Sequence, residues 1–262
     1  MLLEVKGVVI RTVNLSESDR IITILTEQHG TISAYANNSR SLKSRYMAAA
    51  QLFCYGSYVL YKKGDRFWVR EVELIESFFG LRDSVERMAL AAYLCEVLAD
   101  VTTTDADPET LRLALNSLYA IANGLAPIGK IKAVFEFRLA ASIGFMPDLD
   151  GCAECGREDG VLYLDIMDGV AVCAECREYV ATEQRQGDIL YSGEENRRAI
   201  LILSEAVRAT MRFVMSAPLE RILAYRIADA EQAAFELAAE QYLLNHVEKG
   251  YDTLKFYKDV IK

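Results

Sequence analysis

Apolar and polar residues alternate through the first third of the chain, and then the period changes. Leu3 to Asn14 carries Val5, Val8, Val9, Ile10 and Val13 and predicts a strand. Asn14-Leu-Ser-Glu-Ser18 is a turn, and Asp19 to Glu27, with Ile21, Ile22, Ile24 and Leu25, predicts a second strand. Gln28-His29-Gly30 leads into a third at Thr31 to Ala36. A fourth spans Gln51 to Lys62, and the turn Lys63-Gly64-Asp65 leads to a fifth at Arg66 to Glu76. Five short strands joined by tight turns predict a small barrel or rolled sheet. Periodicity does not separate an OB-type barrel from an SH3-like one. The one long connection is Asn37 to Ala50, ending in a short helix at Met47 to Gln51.

From Leu81 the apolar positions recur at helical spacing: Leu81, Val85, Met88, Ala89, Ala92, Cys95 and Leu98, through Val101. Asp107-Pro108-Glu109 starts a second helix, with Asp as N-cap and Pro in the first turn; it runs to Asn123 and stops at Gly124. Gly129 to Ile143 predicts a third, closed by Gly144 and Pro147. Ser192-Gly-Glu-Glu195 has the form of a capping box and predicts a long helix through Met215, restarted at Pro218. Asp229-Ala-Glu-Gln232 opens another through Lys249, and Asp252 to Ile261 predicts a terminal turn or two. The expected fold class is therefore α+β and multidomain. A β-barrel occupies 1–79 and an all-α domain 80–262, with a cysteine-bearing module inserted at 148–180.

That module carries the most specific chemistry. Cys152-Ala-Glu-Cys155 and Cys173-Ala-Glu-Cys176 are two C-x₂-C knuckles separated by 17 residues. The spacing points to a four-thiolate zinc site, because two such turns close a tetrahedron around one ion. Val161 to Ile166 and Gly169 to Cys173, with Met167-Asp168-Gly169 between them, predict a hairpin that brings the second knuckle back to the first. A catalytic zinc keeps an open position, commonly with His or carboxylate ligands; the only histidines, His29 and His246, lie far away in sequence. One structural zinc ion is expected. Cys54 and Cys95 sit in apolar surroundings as free thiols, and disulfides are not expected.

No apolar run reaches the ~18 residues of a membrane span. Met1-Leu-Leu-Glu-Val-Lys has no basic region followed by an apolar one, so a cytoplasmic protein is expected. The net charge of −9 argues against a polyanion partner until its distribution is seen. Residues 1–80 hold 10 Lys/Arg and 8 Asp/Glu, and residues 81–262 hold 19 and 30. No acid occurs between Glu27 and Asp65, a window that carries Arg40, Lys43, Arg45, Lys62 and Lys63, with Arg66 just beyond it. These six are the candidate phosphate contacts. Tyr35, Tyr46, Phe53, Tyr55, Tyr58, Tyr61, Phe67 and Trp68 are the aromatics from which a stacking surface would be drawn. No P-loop, dinucleotide-binding or nucleophile-elbow motif is present. The carboxylates Asp105, Asp107, Asp148/Asp150 and Glu194/Glu195 fall at caps and loops, so an enzyme is not expected.

Several stretches together resemble the RecO family of bacterial recombination mediators: Gly7-Val-Val-Ile-Arg11, Ser16-Glu17-Ser18-Asp19-Arg20-Ile21 and Leu25-Thr26-Glu27-Gln28-His29-Gly30. Ala92 to Leu98, Phe135-Glu136-Phe137-Arg138-Leu139, Ile143-Gly144-Phe145-Met146-Pro147 and the cysteine pairs extend the likeness over nearly the whole chain. That family has a more basic Gly-Ala-Arg-like stretch where this chain has Asn37-Asn38-Ser39-Arg40. The resemblance implies an OB-type barrel and non-enzymatic work on single- and double-stranded DNA at the nucleoid. It implies strand annealing, and loading of a recombinase together with RecR on strands coated by single-strand-binding protein. It also places that protein's acidic tail on the helical domain, with Lys130, Lys132 and Arg138 as candidate contacts. No small-molecule substrate or membrane is implied. The rival readings are a zinc-stabilised protein–protein adaptor that does not touch DNA, and a zinc-dependent hydrolase or deaminase.

Overall fold

The structure, a computed structural model, describes residues 1–262 except 42, 45, 104–106, 178–183 and 193–197. The strands are β1 (Leu2–Asn14), β2 (Arg20–Thr26), β3 (Thr31–Ala36), β4 (Tyr55–Lys63), β5 (Arg66–Glu76), β6 (Leu162–Asp165), β7 (Val170–Cys173), β8 (Gln184–Gln186), β9 (Ile189–Ser192) and β10 (Arg198–Leu203). The α-helices are α1 (Val85–Val101), α2 (Pro108–Asn123), α3 (Ile128–Ser142), α4 (Glu205–Ser216), α5 (Asp229–Val247) and α6 (Asp252–Val260). They form two compact units, Met1–Ile128 with Tyr251–Lys262, and Gly129–Gly250.

In the first unit, five strands close into a barrel in the order β1-β2-β3-β5-β4, with β4 returning to β1. The β3–β5 pair is parallel and short, Ala34 opposite Phe67 and Tyr35 opposite Trp68; every other pair is antiparallel. This is the OB-type arrangement, so the ambiguity left by periodicity is resolved. Alternate residues fill the interior: Val5, Val9, Ile22, Ile24, Ile32, Ala34, Tyr58, Leu60 and Val69 form one buried cluster. Tight curvature needs Gly7 opposite Gly56 on the β1–β4 pair. A Cβ on Gly7 would sit 2.4 Å from the Leu25 carbonyl oxygen, and one on Gly56 2.6 Å from that of Glu73.

The fourth strand begins at Tyr55 rather than Gln51. Phe53 takes φ +72°, and its N–H turns away to the Val9 carbonyl. The helix expected at Met47 to Gln51 is only turns, including a single Ala50 N–H to Tyr46 carbonyl bond of 2.9 Å. After the barrel, α1 starts at Ser84, whose hydroxyl accepts from the Arg87 N–H, and α2 at Asp107, which accepts from the Glu109 N–H. The terminal segment is a full helix, α6, laid on α1. Tyr251 packs edge-on to Tyr93 at 5.9 Å and its hydroxyl donates to Asp100, while Thr253 donates to Glu96.

The second unit packs α3 against α5 through Phe137, whose ring meets Phe235 and Tyr242 edge-on at 6.1 and 5.7 Å. It also holds a five-stranded antiparallel sheet, β7-β6-β10-β9-β8: β6 and β7 are the hairpin that the sequence predicted, whereas β10 lies where the sequence pattern predicted a helix. Within the stretch expected to be one long helix from Ser192 to Met215, Ser192 ends β9, Arg198–Leu203 is strand and helix begins only at Glu205. The run Ala199-Ile-Leu-Ile-Leu203 alternates between β6 and β9 as the central strand, burying Ala199, Leu201 and Leu203. The cap that starts α4 is Ser204, whose hydroxyl accepts from the Val207 N–H at 3.2 Å. Glu194 and Glu195, like Asp105, lie outside the described residues.

Candidate metal centre and nucleic-acid interface

The hairpin β6–β7 does what the spacing predicted. Leu162 pairs with Cys173 and Asp165 with Val170. The turn is held by the Asp165 carboxylate, which accepts from the N–H groups of Met167 and Asp168. The first knuckle closes through Gly156, at φ +73°, whose N–H reaches the Cys152 carbonyl at 2.8 Å. Its Ala153 N–H bonds the Ala171 carbonyl at 2.9 Å, which docks this knuckle on β7. The second knuckle turns through N–H bonds from Cys176 and Arg177 to the Cys173 carbonyl. Arg157 and Glu175 then clip the two knuckles together with two parallel bonds of 2.8 Å.

All four sulfurs of Cys152, Cys155, Cys173 and Cys176 lie within 4.8 Å of one another, and those of Cys155 and Cys173 are 3.8 Å apart. A tetrahedral tetrathiolate with metal–sulfur bonds of about 2.3 Å has edges of about 3.8 Å, so the residues fit a bound ion. Backbone hydrogen bonds from Cys173 and Cys155 pull the Cys152 thiol down to about 6, whereas the neighbouring Cys155 and Cys173 sulfurs push that of Cys176 up to about 12, so the protein alone favours a thiolate at one position of the four. An ion held by all four sulfurs would have its tetrahedral shell filled by the protein. Cys54 and Cys95 stand apart as buried free thiols, and burial pushes both upward.

The six predicted phosphate contacts fall into two places on the barrel. Lys62, Lys63 and Arg66 are exposed on the β4–β5 hairpin, with Lys63 opposite Arg66. The Lys62 ammonium stands over the Phe67 ring at 5.4 Å, and the Arg66 guanidinium over the Tyr35 ring at 5.9 Å. Arg40 and Lys43 are exposed on the long β3–β4 connection, and Arg45 lies outside the described residues. Arg40 is tethered: its guanidinium donates to the Ser16 carbonyl at 2.6 Å and its N–H to that of Ser18. Beside it the Asn38 N–H holds the Asp19 carboxylate, which stays below its ordinary value chiefly for that reason. The connection crosses β5 at Arg70, whose carbonyl accepts from the Tyr46 hydroxyl.

The aromatics divide by strand parity. Tyr58 and Phe53 are buried, and Tyr46 and Phe67 pack against the core. Tyr35, Tyr61 and Trp68 alternate with the core residues Ala34, Leu60 and Val69 and so face outward.

The candidate partner contacts on α3 are occupied within their own unit. Lys132 is not a surface cation: it is 6% exposed and its ammonium is shared by Glu136 and Glu240, each at 2.8 Å. Helical spacing on an almost wholly buried helix gave no sign of this. Lys130 donates to the Tyr225 carbonyl at 2.7 Å and lies 3.9 Å from the centre of that ring; burial, and then Arg226, lower its basicity. Arg138 donates to the Val214 carbonyl near the end of α4. The clip Arg157–Glu175 was not singled out from sequence; an arginine just after one knuckle and an acid inside the other was its only signal.

A family model described as the N-terminal part of recombination protein O matches residues 1–78, and one described as its C-terminal part matches residues 82–255. The chain belongs to the recombination protein O family. Its relatives include the DNA repair protein RecO of Acetivibrio thermocellus, 29% identical over 98% of this chain and 96% of that one. That of Symbiobacterium thermophilum is 28% identical over 97% and 96%. The RecO of Bacillus subtilis is 31% identical over 68% of this chain and 70% of its own length. The seam between the two family matches falls at residues 79–81, in the 3-10 turn Phe79–Asp83 that leads from barrel to α1.

Proposed function

We propose that this chain is a non-enzymatic recombination mediator in DNA repair, whose barrel grips DNA and whose cysteine module is held in shape by one zinc ion. The observation that carries the reading is a two-residue hairpin presenting Lys62, Lys63 and Arg66 beside outward-facing aromatics, on an OB-type barrel, in a chain of the recombination protein O family. Cations with rotatable donors and aromatic faces contact phosphates and bases without reading base edges, so binding has little sequence preference. A protein of this kind anneals complementary strands and, with RecR, loads a recombinase on strands coated by single-strand-binding protein. When bound, the zinc supplies no chemistry to a substrate; it joins the two knuckles.

A salt titration tests the reading. Three phosphate contacts on a single strand imply a slope of log affinity against log salt near −2, about a 20-fold loss between 50 and 200 mM. Changing Lys62, Lys63 and Arg66 together to Ala should flatten the slope by about 2 and weaken all sequences alike. An unchanged slope would remove the hairpin from the interface. No binding at low salt would leave the adaptor reading in its place.

A further inference from the structure

The terminal helix α6 turns one face to α1 and leaves the other uncovered. On the inner face Leu254 and Tyr257 are buried, and Tyr251 before them packs on Tyr93. The outer face carries Asp252, Lys255, Phe256, Asp259 and, just past the helix end, Lys262. At 3.6 residues per turn these positions fall within about a third of the circumference. Phe256, in the middle of them, is 54% exposed. Beside it opens a cleft of about 420 Å³, lined by Val85, Met88, Ala89 and Ala92 of α1 and edged by Arg82 and Asp83. Val85 is 58% exposed, and the Arg82 guanidinium stands over the exposed Phe79 ring at 5.7 Å. Large apolar side chains grouped in this way mark a contact surface.

The charges on the face indicate its occupant. From Asp252 to Lys262 the signs of the four charged positions run minus, plus, minus, plus. Within one chain they pair along the helix, Lys255 with Asp252 at 2.9 Å and Lys262 with Asp259 at 2.8 Å. All four side chains are largely exposed, so these pairs contribute little and exchange readily for others. A second α6 laid antiparallel on this face reads the same series backwards, and each charge meets its opposite. Asp252 of one copy then faces Lys262 of the other, and Lys255 faces Asp259, both pairings centred at the level of Tyr257. A parallel copy would set like charge against like. Pairings that occur twice, i with j and j with i, are those of a two-fold contact between identical chains. A foreign partner makes no such demand on the order of charges, whereas a second copy does, and it brings its own Phe256 ring to the cleft.

We infer that the outer face of α6 and the cleft beside it form a docking surface for a second copy of this chain, joined antiparallel about a two-fold axis. A nine-residue helix and one cleft are small against the roughly 800 Å² per partner of a stable complex, so the association is weak and depends on concentration and salt. Helix α6 belongs to the same unit as the barrel, so the dimer carries two barrels and, under the function proposed above, two grips on DNA. The inference does not need that function, and its test uses no DNA.

Sedimentation of the full-length protein between about 5 and 200 µM, in about 50 mM and 500 mM salt, measures the association. The expected result is monomer passing to dimer with concentration at low salt, and a shift back to monomer at high salt. Phe256→Ala should weaken the dimer at least about 5-fold. Lys255→Asp/Lys262→Asp leaves only acids at the four charged positions and Asp252→Lys/Asp259→Lys only bases, so each variant alone should stay monomeric. Mixed in equal amounts they should form a one-to-one dimer, which no loss of folding imitates. A wild type that stays monomeric at low salt overturns the inference. So do charge variants that dimerise alone as the wild type does, since the contact then lies elsewhere. Variants that stay apart when mixed overturn it as well, since opposite charge then does not join the copies.

Discussion

Replacing Lys132 by Met should destabilise the second unit severely, and in a way that depends on pH. The ammonium is 6% exposed between Glu136, which is 0% exposed, and Glu240, at 6%, with carboxylate oxygens at 2.8 Å on both sides. Burial alone would lower its basicity, but the two carboxylates outweigh that and hold it above its ordinary value. A group whose folded pKa is raised stabilises fully below its unfolded pKa, near ~10.4, and the contribution is lost as pH rises through the folded value. At neutral pH the wild type therefore shows no pH dependence from Lys132. Methionine fills similar volume but leaves two carboxylates buried without their cation, which costs about 3–5 kcal/mol. Against a total of about 5–15 kcal/mol this is a large share. The stranded carboxylates then bind protons more tightly when folded than unfolded, so the variant gains stability as pH falls from 8 to 5. Urea denaturation followed by far-ultraviolet circular dichroism at several pH values measures both effects; Trp68 would report only the barrel. A triple Lys132→Met/Glu136→Leu/Glu240→Leu variant should recover much of the loss, because the three charges of the triad are then removed together. A single-variant loss below about 1 kcal/mol, or one that is flat with pH, would refute an electrostatic role for the triad.

Purified protein should contain one zinc ion per chain by elemental analysis, and Cys173→Ser should lose it; a metal-free protein with an intact cysteine module would contradict the closed-shell reading. Limited proteolysis after chelation should open sites in the 150–177 region while the barrel stays resistant, since the four clustered cysteines all belong to the second unit. Ser204→Ala should cost about 1 kcal/mol in denaturant melts by uncapping α4. Gly7→Ala should prevent the barrel from closing, seen as an unfolded spectrum for the first unit, because the added methyl would meet the Leu25 carbonyl.

The barrel was legible because its strands bury one face, and a period of two survives wherever a single face is buried. The closure of β3 on β5 was not, since it consists of two residue pairs and leaves no trace in local periodicity. The cysteine knuckles were legible for a different reason: ligand spacing is chemistry written along the chain, and it needs no knowledge of packing. The helix expected over residues 192–215 failed where local and tertiary signals compete. Ser192-Gly-Glu-Glu195 has the letters of a capping box, but Ala199 to Leu203 is a short apolar run that periodicity cannot assign, and pairing with β6 and β9 decides it.

Lys132 marks the deeper limit. On α3 the charged positions Lys130, Lys132, Glu136 and Arg138 look solvated, because charge on a helix ordinarily marks the side turned to water. Here Lys132 and Glu136, one turn apart, meet α5, and Glu240, 108 residues away, supplies the second carboxylate that makes burial of a lysine tolerable. A buried ion pair is specified by two distant residues at once, and neither carries a mark of it alone. The same reasoning separates the hairpin cations from those of α3. Lys62, Lys63 and Arg66 sit on a two-residue turn, which must be exposed for want of anything to cover it, so a sequence reading of them as surface charges was secure. Surface charge can thus be read with confidence at turns and only provisionally on helices, and an electrostatic interface should be sought first where the backbone geometry itself guarantees exposure.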